Sequence, residues 1–397
     1  MIVDVEVIPT LTQLLIKGTL IFQDSTAIDT YQLNSKIIHV TRTGKLLIGS
    51  SSVPFTKPLT INLHGGQLDD RFVVASTINP SNKLLVVGGQ VEIHAQQRAH
   101  TQTKLKQSAT FGNNVIVVKD NVDWKIGDFI AISSTSQHWN KDEKHEIISI
   151  TNNNITLKNP LQFNHYGTTQ FVSTKLGSVD MSAEVILLTR NVKIQGIGSV
   201  DWGCHINVVG YQGVDEDRNI VQVEGQIIFD SVQISNCGQK DTDFAALQFT
   251  SLKDTTKKNF LKNSSIEDSL NWSVHIHDSN GIEMQNNVIY NSLKYGVYMK
   301  DPQDIIFEQN NVMKIRNRTW YENLQDLDII IGFYIDDGNI DLIEKNVIIR
   351  NNIISGSEWF AWAVPGYSCG STNNNFHDNT GHSSRAGWFG TMKYSTC

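Results

Sequence analysis

Four short segments of this chain repeat one another, and their spacing restricts the possible fold more than any other feature. They are Lys262-Asn263-Ser264-Ser265-Ile266, Gln285-Asn286-Asn287-Val288-Ile289, Gln309-Asn310-Asn311-Val312-Met313 and Arg350-Asn351-Asn352-Ile353-Ile354. Aligned on Asn263, Asn286, Asn310 and Asn351, they recur after 23, 24 and 41 residues. A period near two dozen, with short β-rich runs between copies, predicts one coil of a parallel β-helix, where each turn buries its apolar face only by stacking on neighbours. Asparagine tolerates the left-handed backbone of a tight corner, and identical amides can hydrogen-bond up a stack. The longest interval reads either as one coil with an insertion or as two coils with the marker lost.

The amino-terminal part has a different texture. Short apolar runs such as Lys45-Leu46-Leu47-Ile48 and Leu84-Leu85-Val86-Val87 alternate with glycine turns, so Gly44, Gly49, Gly65, Gly66, Gly88 and Gly89 mark expected corners. Abundant Val, Ile and Thr, with hardly any uninterrupted Ala/Leu/Glu/Lys stretch, favour strands over helices. The expected architecture is all-β: a right-handed, single-stranded parallel β-helix over residues 171–397, with a β-rich glycine-turn domain over residues 1–170 stacked on it.

With 33 Lys and Arg against 40 Asp and Glu, the net charge is −7, and no long basic run offers nucleic-acid phosphates a landing strip. No apolar run reaches the roughly 18 residues that span a bilayer, and the first residues lack the blocks of a signal peptide. The chain is therefore expected to be cytosolic, or a mature or partial form of a longer secreted protein. Cys204, Cys237, Cys369 and Cys397 form no Cys-x-x-Cys pair, which argues against zinc and leaves three disulfide pairings or buried thiols open. Sequons begin at Asn154, Asn263, Asn271 and Asn317.

Several ordered motifs carry a resemblance. Thr19-Leu20-Ile21-Phe22, Gly44-Lys45-Leu46-Leu47-Ile48-Gly49, Ile61-Asn62-Leu63-His64-Gly65 and Asp123-Trp124-Lys125-Ile126-Gly127-Asp128 resemble the eight-glycine domain at the front of fibrocystin, fibrocystin-L and two related hyaluronan-degrading proteins, the cell-migration-inducing and transmembrane hyaluronidases. Asp180 to Gly196 looks like that family's link into its β-helix, and Phe376 to Gly387 resembles its late His-Ser-x-x-Arg-Ala-Gly segment. The resemblance implies an extracellular, glycosylated ectodomain piece at a cell or ciliary surface, part of a larger chain, with other surface proteins or glycans as partners. It also implies two functional branches: a non-catalytic scaffold or binder, and a polysaccharide depolymerase.

The residues that would carry depolymerase chemistry are His277, Asp301, His382 and Arg385, a proton shuttle, an acid and a clasp for a carboxylated sugar. Against that branch, the hyaluronidases' Gly-Gln is followed by Tyr-Pro-Ile-His-Phe-His, whereas Gly238-Gln239 here leads to Phe244-Ala245-Ala246-Leu247-Gln248-Phe249-Thr250, without either histidine. Trp359, Trp362 and Trp388 are candidate sugar-stacking platforms or caps on the end of the helix. His275 and His277 lie two apart, on one strand face. Asp336, Asp337 and Asp341 resemble part of a calcium-binding turn without its full ligand pattern, so calcium is the one cofactor the sequence raises.

Overall fold

The computed structural model describes residues 1–75, 78–173, 177–198, 200–215, 217–317, 329–336, 345–364 and 375–389. Every regular element among them is a β-strand. Most strands pair in parallel and in register with those of the coils before and after, so the chain is a parallel β-helix. One wall holds ten strands, one per coil, from Ile2–Val3 to Phe376–His377. The other two walls begin joined, because Tyr31–Val40 runs along both: Tyr31 to Ser35 pairs with Leu59–Leu63, and Ile37 to Val40 with Leu84–Val87. Later coils turn a corner between them.

One coil represents the others. Asn280–Gln285 lies on the first wall, Val288–Leu293 on the second and Tyr295–Lys300 on the third. Their inward residues Ile282, Met284, Ile289, Val297 and Met299 are fully buried in a core that runs from Val3 to Val364. A single coil has no second layer to bury this face against, so stability grows with stacking. Glycines serve where the backbone demands them: Gly49 has φ 65, and a Cβ on Gly89 would lie 2.1 Å from the Thr41 carbonyl oxygen.

The strand register corrects the third repeat by one residue. Ile266, Ile289, Val312 and Ile354 are stacked, which sets the true intervals at 23, 23 and 42 residues. The left-handed corner is therefore occupied by Asn263, Asn286, Gln309 and Asn351, with φ between 52 and 57. Asn310 belongs to the next level, with Ser264, Asn287, Asn352 and Asn379, where side chains turn inward. There Asn287, Asn310, Asn352 and Asn379 each accept, through Oδ1, the backbone N–H of the equivalent residue one coil earlier, at 2.9–3.1 Å. Their Nδ2 groups donate to the carbonyls of Leu261, Met284, Phe307 and Ile349 on the first wall. The longest interval is a single coil with insertions, because Gln303–Glu308 pairs directly with Val347–Arg350 and Asn311–Arg316 with Ile353–Ser357.

One long excursion leaves the helix among the described residues. After Gln90–His94 the chain leaves its coil and returns at Val192–Gly196, which fits between Leu59–Leu63 and Val232–Ser235. The excursion folds as a six-stranded antiparallel sheet around Leu105, Ile116, Val118, Trp124, Ile130 and Leu187, with the separate hairpin Thr169–Ser173/Gly177–Asp180. Residue 170, the expected domain boundary, lies in that hairpin, and the glycine-rich segment before the excursion forms the first coils of the helix itself. Asn191 fastens the two ends: its Oδ1 accepts from the Gln96 N–H, and its Nδ2 donates to the carbonyls of Phe55 and Lys57. Cys204 and Cys237 oppose each other on adjacent coils and form a disulfide. Cys369 and Cys397 lie outside the described residues.

Two substitutions one residue apart should have opposite effects. Asn310→Ala leaves the Asn287 N–H buried without an acceptor and is expected to cost about 2–4 kcal/mol in urea denaturation. Gln309→Gly relieves a left-handed non-glycine residue and is expected to stabilise by up to about 1 kcal/mol. Equal effects of the two would contradict the register.

Candidate functional site

The third wall gathers aromatic side chains from successive coils. His275, Tyr298 and Tyr334 are in register, with ring centroids 4.9 Å and 5.4 Å apart and both pairs stacked. Tyr295 stacks beside Tyr298 at 5.2 Å, and the Trp272 ring meets His275 and Tyr298 edge-on at 4.8 and 4.9 Å. Trp272 and His275 are buried, whereas Tyr295, Tyr298, Tyr334 and His277 are half-buried. The next residue along the column after Tyr334 is Ala363, which adds only a methyl beside that ring. Lys294 lies over Tyr295 at 5.6 Å, and Asp336 accepts a 2.8 Å hydrogen bond from the Tyr298 hydroxyl. The result is a strip of ring edges and hydroxyls with charges at its margin.

Electrostatics remove two of the strip's groups from acid–base chemistry. Burial, then the nearby His277 and His205, lower the His275 pKa to about 3, and the Asp243 backbone offsets only part of this. Its imidazole is therefore neutral and weakly basic at pH 7. Burial and the bond to Asp336 push Tyr298 up, so its phenol stays protonated. Neither group is poised near neutrality as a general base should be.

The four residues expected to act together are divided. His277 and Asp301 lie on the third wall, where Asp301 takes φ 50 at the corner closing its strand, as Asp278 does one coil earlier with φ 47. His382 belongs to the second wall of the last described coil, four coils beyond His277 and three beyond Asp301, or roughly 19 and 14 Å along the axis at about 4.8 Å per coil. No single glycosidic bond could meet all four. His382 instead faces the excursion: its Nε2 lies 2.9 Å from Glu184 Oε2, and Ser383 Oγ donates to the Ser134 carbonyl. Arg385 is exposed, 5.8 Å above the Trp359 ring.

Other expected sites need correction too. Trp362 is only 2% exposed, packed against Phe333 and Phe376 in the core, so it presents no platform to a sugar. Trp388 is in register with the inward-facing Trp362 and edge-on to Phe376, so it lies on the core side of its strand rather than on the outer wall. Trp359 is half-buried beneath Arg385. The Asn271 side chain is fully buried and donates to the carbonyls of Gln239 and Thr242, so the folded chain has no room for a glycan there. Asn154 is exposed; Asn263 and Asn317 are half-buried. Asp336 is bonded to Tyr298, and Asp337 and Asp341 lie outside the described residues.

Comparison with known family models agrees with the β-helical fold. The G8 domain family matches residues 1–106, and the CEMIP beta-helix family matches residues 219–391. The chain is similar to proteins that carry a G8 domain and a CEMIP beta-helix. Mouse fibrocystin-L is 24% identical over 96% of the chain, and dog fibrocystin 23% over 96%; in each case the chain spans 9% of the relative's length. Protein rliB of Dictyostelium discoideum is 24% identical over 93% of the chain and 33% of its own length. Among solved structures, the Gp54 tailspike of Acinetobacter baumannii bacteriophage AP22, in complex with A. baumannii capsular saccharide, is 12% identical with a TM-score of 0.22, covering 94% of this chain and 48% of that one.

Trp272, Tyr295, Tyr298 and Tyr334 are not among the candidates that the sequence alone suggests. The signal was present, since Tyr298 follows His275 by 23 residues, the helix's own period. Tyr334 is hidden by the insertion that lengthens the following coil.

The contact between His382 and Glu184 makes acid stability measurable. Burial alone would raise the Glu184 pKa, but His382, Lys104 and the Ser133 hydroxyl outweigh it and hold the carboxyl at about 2. A depressed folded-state pKa gives stability that is present above the unfolded value near 4.5 and is lost as pH falls towards about 2. Glu184→Gln is expected to be less stable at pH 7 and to show a shallower fall between pH 4.5 and 2 in urea titrations at stepped pH. An unchanged slope would contradict the pairing. Peptide mapping after secretion from a glycosylating host should find Asn271 unmodified in folded material.

Proposed function

We propose that this chain is a non-catalytic binding segment of a fibrocystin-like protein at the cell surface, and that the aromatic strip on its third wall holds a saccharide of a glycan or glycoprotein partner. The observation that carries this reading is the in-register stack of His275, Tyr298 and Tyr334, flanked by Trp272 and Tyr295. A core does not need these rings, because inward positions of the same strands are already filled by Val297, Met299, Phe333 and Ile335. Outward tyrosines bring large, rigid contact area with a hydroxyl at the tip, a combination favoured where one side of a contact is apolar and the other wet. The low basicity of His275 and the raised pKa of Tyr298 favour binding over bond cleavage. Similarity to fibrocystin-L along nearly the whole chain supports a surface setting, with the ciliary one a narrower form of the same proposal.

A glycan array probed with the purified chain, followed by calorimetry on the best oligosaccharide, tests this. Tyr334→Ala is expected to weaken binding by about tenfold or more while leaving thermal stability nearly unchanged. Release of new reducing ends or unsaturated sugars from any bound polysaccharide would overturn the non-catalytic reading. Binding unaffected by Tyr334→Ala and Tyr298→Ala would overturn the assignment to this wall.

A further inference from the structure

Far from the aromatic strip, the excursion and the second wall enclose a cleft of about 570 Å³ with an unusual balance of charge. Its lining includes Arg98, Lys125, Lys144, Arg190 and Lys193, against two carboxylates, Asp128 and Glu267. Both carboxylates are already engaged, Asp128 by Arg98 at 3.2 Å and Glu267 by Lys144 at 2.6 Å. Asp268 also takes the Lys144 ammonium, and Asp123 accepts the Ala99 N–H behind Arg98. Three cations are left without a carboxylate: the exposed Lys125, whose Nζ donates to Gln96 Oε1 at 3.2 Å, and the less exposed Arg190 and Lys193. Arg190 is 4% exposed; its Nε donates to the Asn263 carbonyl and its Nη1 to those of Leu187 and Thr189, but Nη2 is buried with no acceptor. Lys193 stands on the second wall between Thr60 and Gln233, half-buried, and makes no hydrogen bond or ion pair among the described residues.

Cations drawn out of water without an anionic partner are costly, and proteins seldom leave them so without a use. In a chain of net charge −7, the surplus positive charge here is local rather than general. Burial lowers the pKa of Lys193 and brings Arg190 down to about 10, the penalty that an arriving anion would relieve. The polar neighbours Thr60 and Gln96, together with the exposed Lys125, complete a rim able to donate hydrogen bonds.

We infer that this cleft is a binding site for a single oxyanionic group, a phosphate or sulfate, drawn by Lys193, Lys125 and the Arg190 guanidinium that line it. The group arrives either as the free ion or as an ester on a sugar. Charge-assisted hydrogen bonds to such a group are strong because they replace desolvation cost with direct pairing. The site is independent of the third wall, so failure of either assignment leaves the other standing.

Calorimetry of the full chain with inorganic phosphate and inorganic sulfate at low ionic strength, followed by a sulfated monosaccharide, is the test. Saturable 1:1 binding is expected, about tenfold weaker in Lys193→Met and restored in Lys193→Arg. Without anion, the melting temperature of Lys193→Met should equal or exceed that of the parent, because a desolvated charge has been removed. Tighter binding of the ester assigns the ligand to a sulfated sugar, and equal affinity assigns it to the free ion; either supports the site. Absence of saturation in the tens of millimolar, or equal binding by Lys193→Met, would overturn it.

Discussion

Parallel stacking in register is the constraint on which the rest of this molecule depends. Each coil offers the next an identical row of backbone donors and acceptors, so a side chain at a given position is repeated at intervals of about 4.8 Å along a wall. The Asn287–Asn310–Asn352–Asn379 ladder applies this at the corner between the first and second walls, where regular pairing lapses and backbone groups would otherwise be buried without partners. The same repetition builds the stack of His275, Tyr298 and Tyr334. Corner and candidate binding strip thus arise from one geometric rule applied to different residues.

The excursion shows how tolerant that rule is. Nearly a hundred residues separate His94 from Val192, yet the returning strand takes up its place beside Leu59–Leu63 as though the coil had never been interrupted. Closing a long loop costs only slowly more entropy with length, and Asn191 holds the two ends together. The antiparallel unit so inserted then lies along the second wall. Its contacts with His382, Tyr290 and Glu267 bind coils that are distant in sequence, and the cationic cleft is a product of that docking.

Much of the fold was legible because it is periodic. The repeats revealed the helix, and the glycine turns revealed its early corners. The error of one residue at Asn310 arose because two neighbouring asparagines suit different duties, a left-handed corner and an inward ladder, and at the third repeat glutamine takes the first duty. The candidate site was less legible. Composition cannot tell an inward tryptophan such as Trp362 from an outward one, and the late motif's resemblance set His382 beside Arg385 although His382 serves the junction with the excursion. The excursion itself was hidden because its strands share the Val/Ile/Thr texture of the coils around it.

The most direct test of the account is whether the chain resumes its coil after the excursion. Asn62 and Gln195 face outward on neighbouring strands in register, with their side chains hydrogen-bonded. Cysteines at parallel positions would have Cα atoms about 4.8 Å apart, within the range a disulfide spans. Oxidation of the native Asn62→Cys, Gln195→Cys chain, followed by peptide mapping, should therefore give a bond between positions 62 and 195. Recovery of both thiols free from folded protein would contradict the continuous helix.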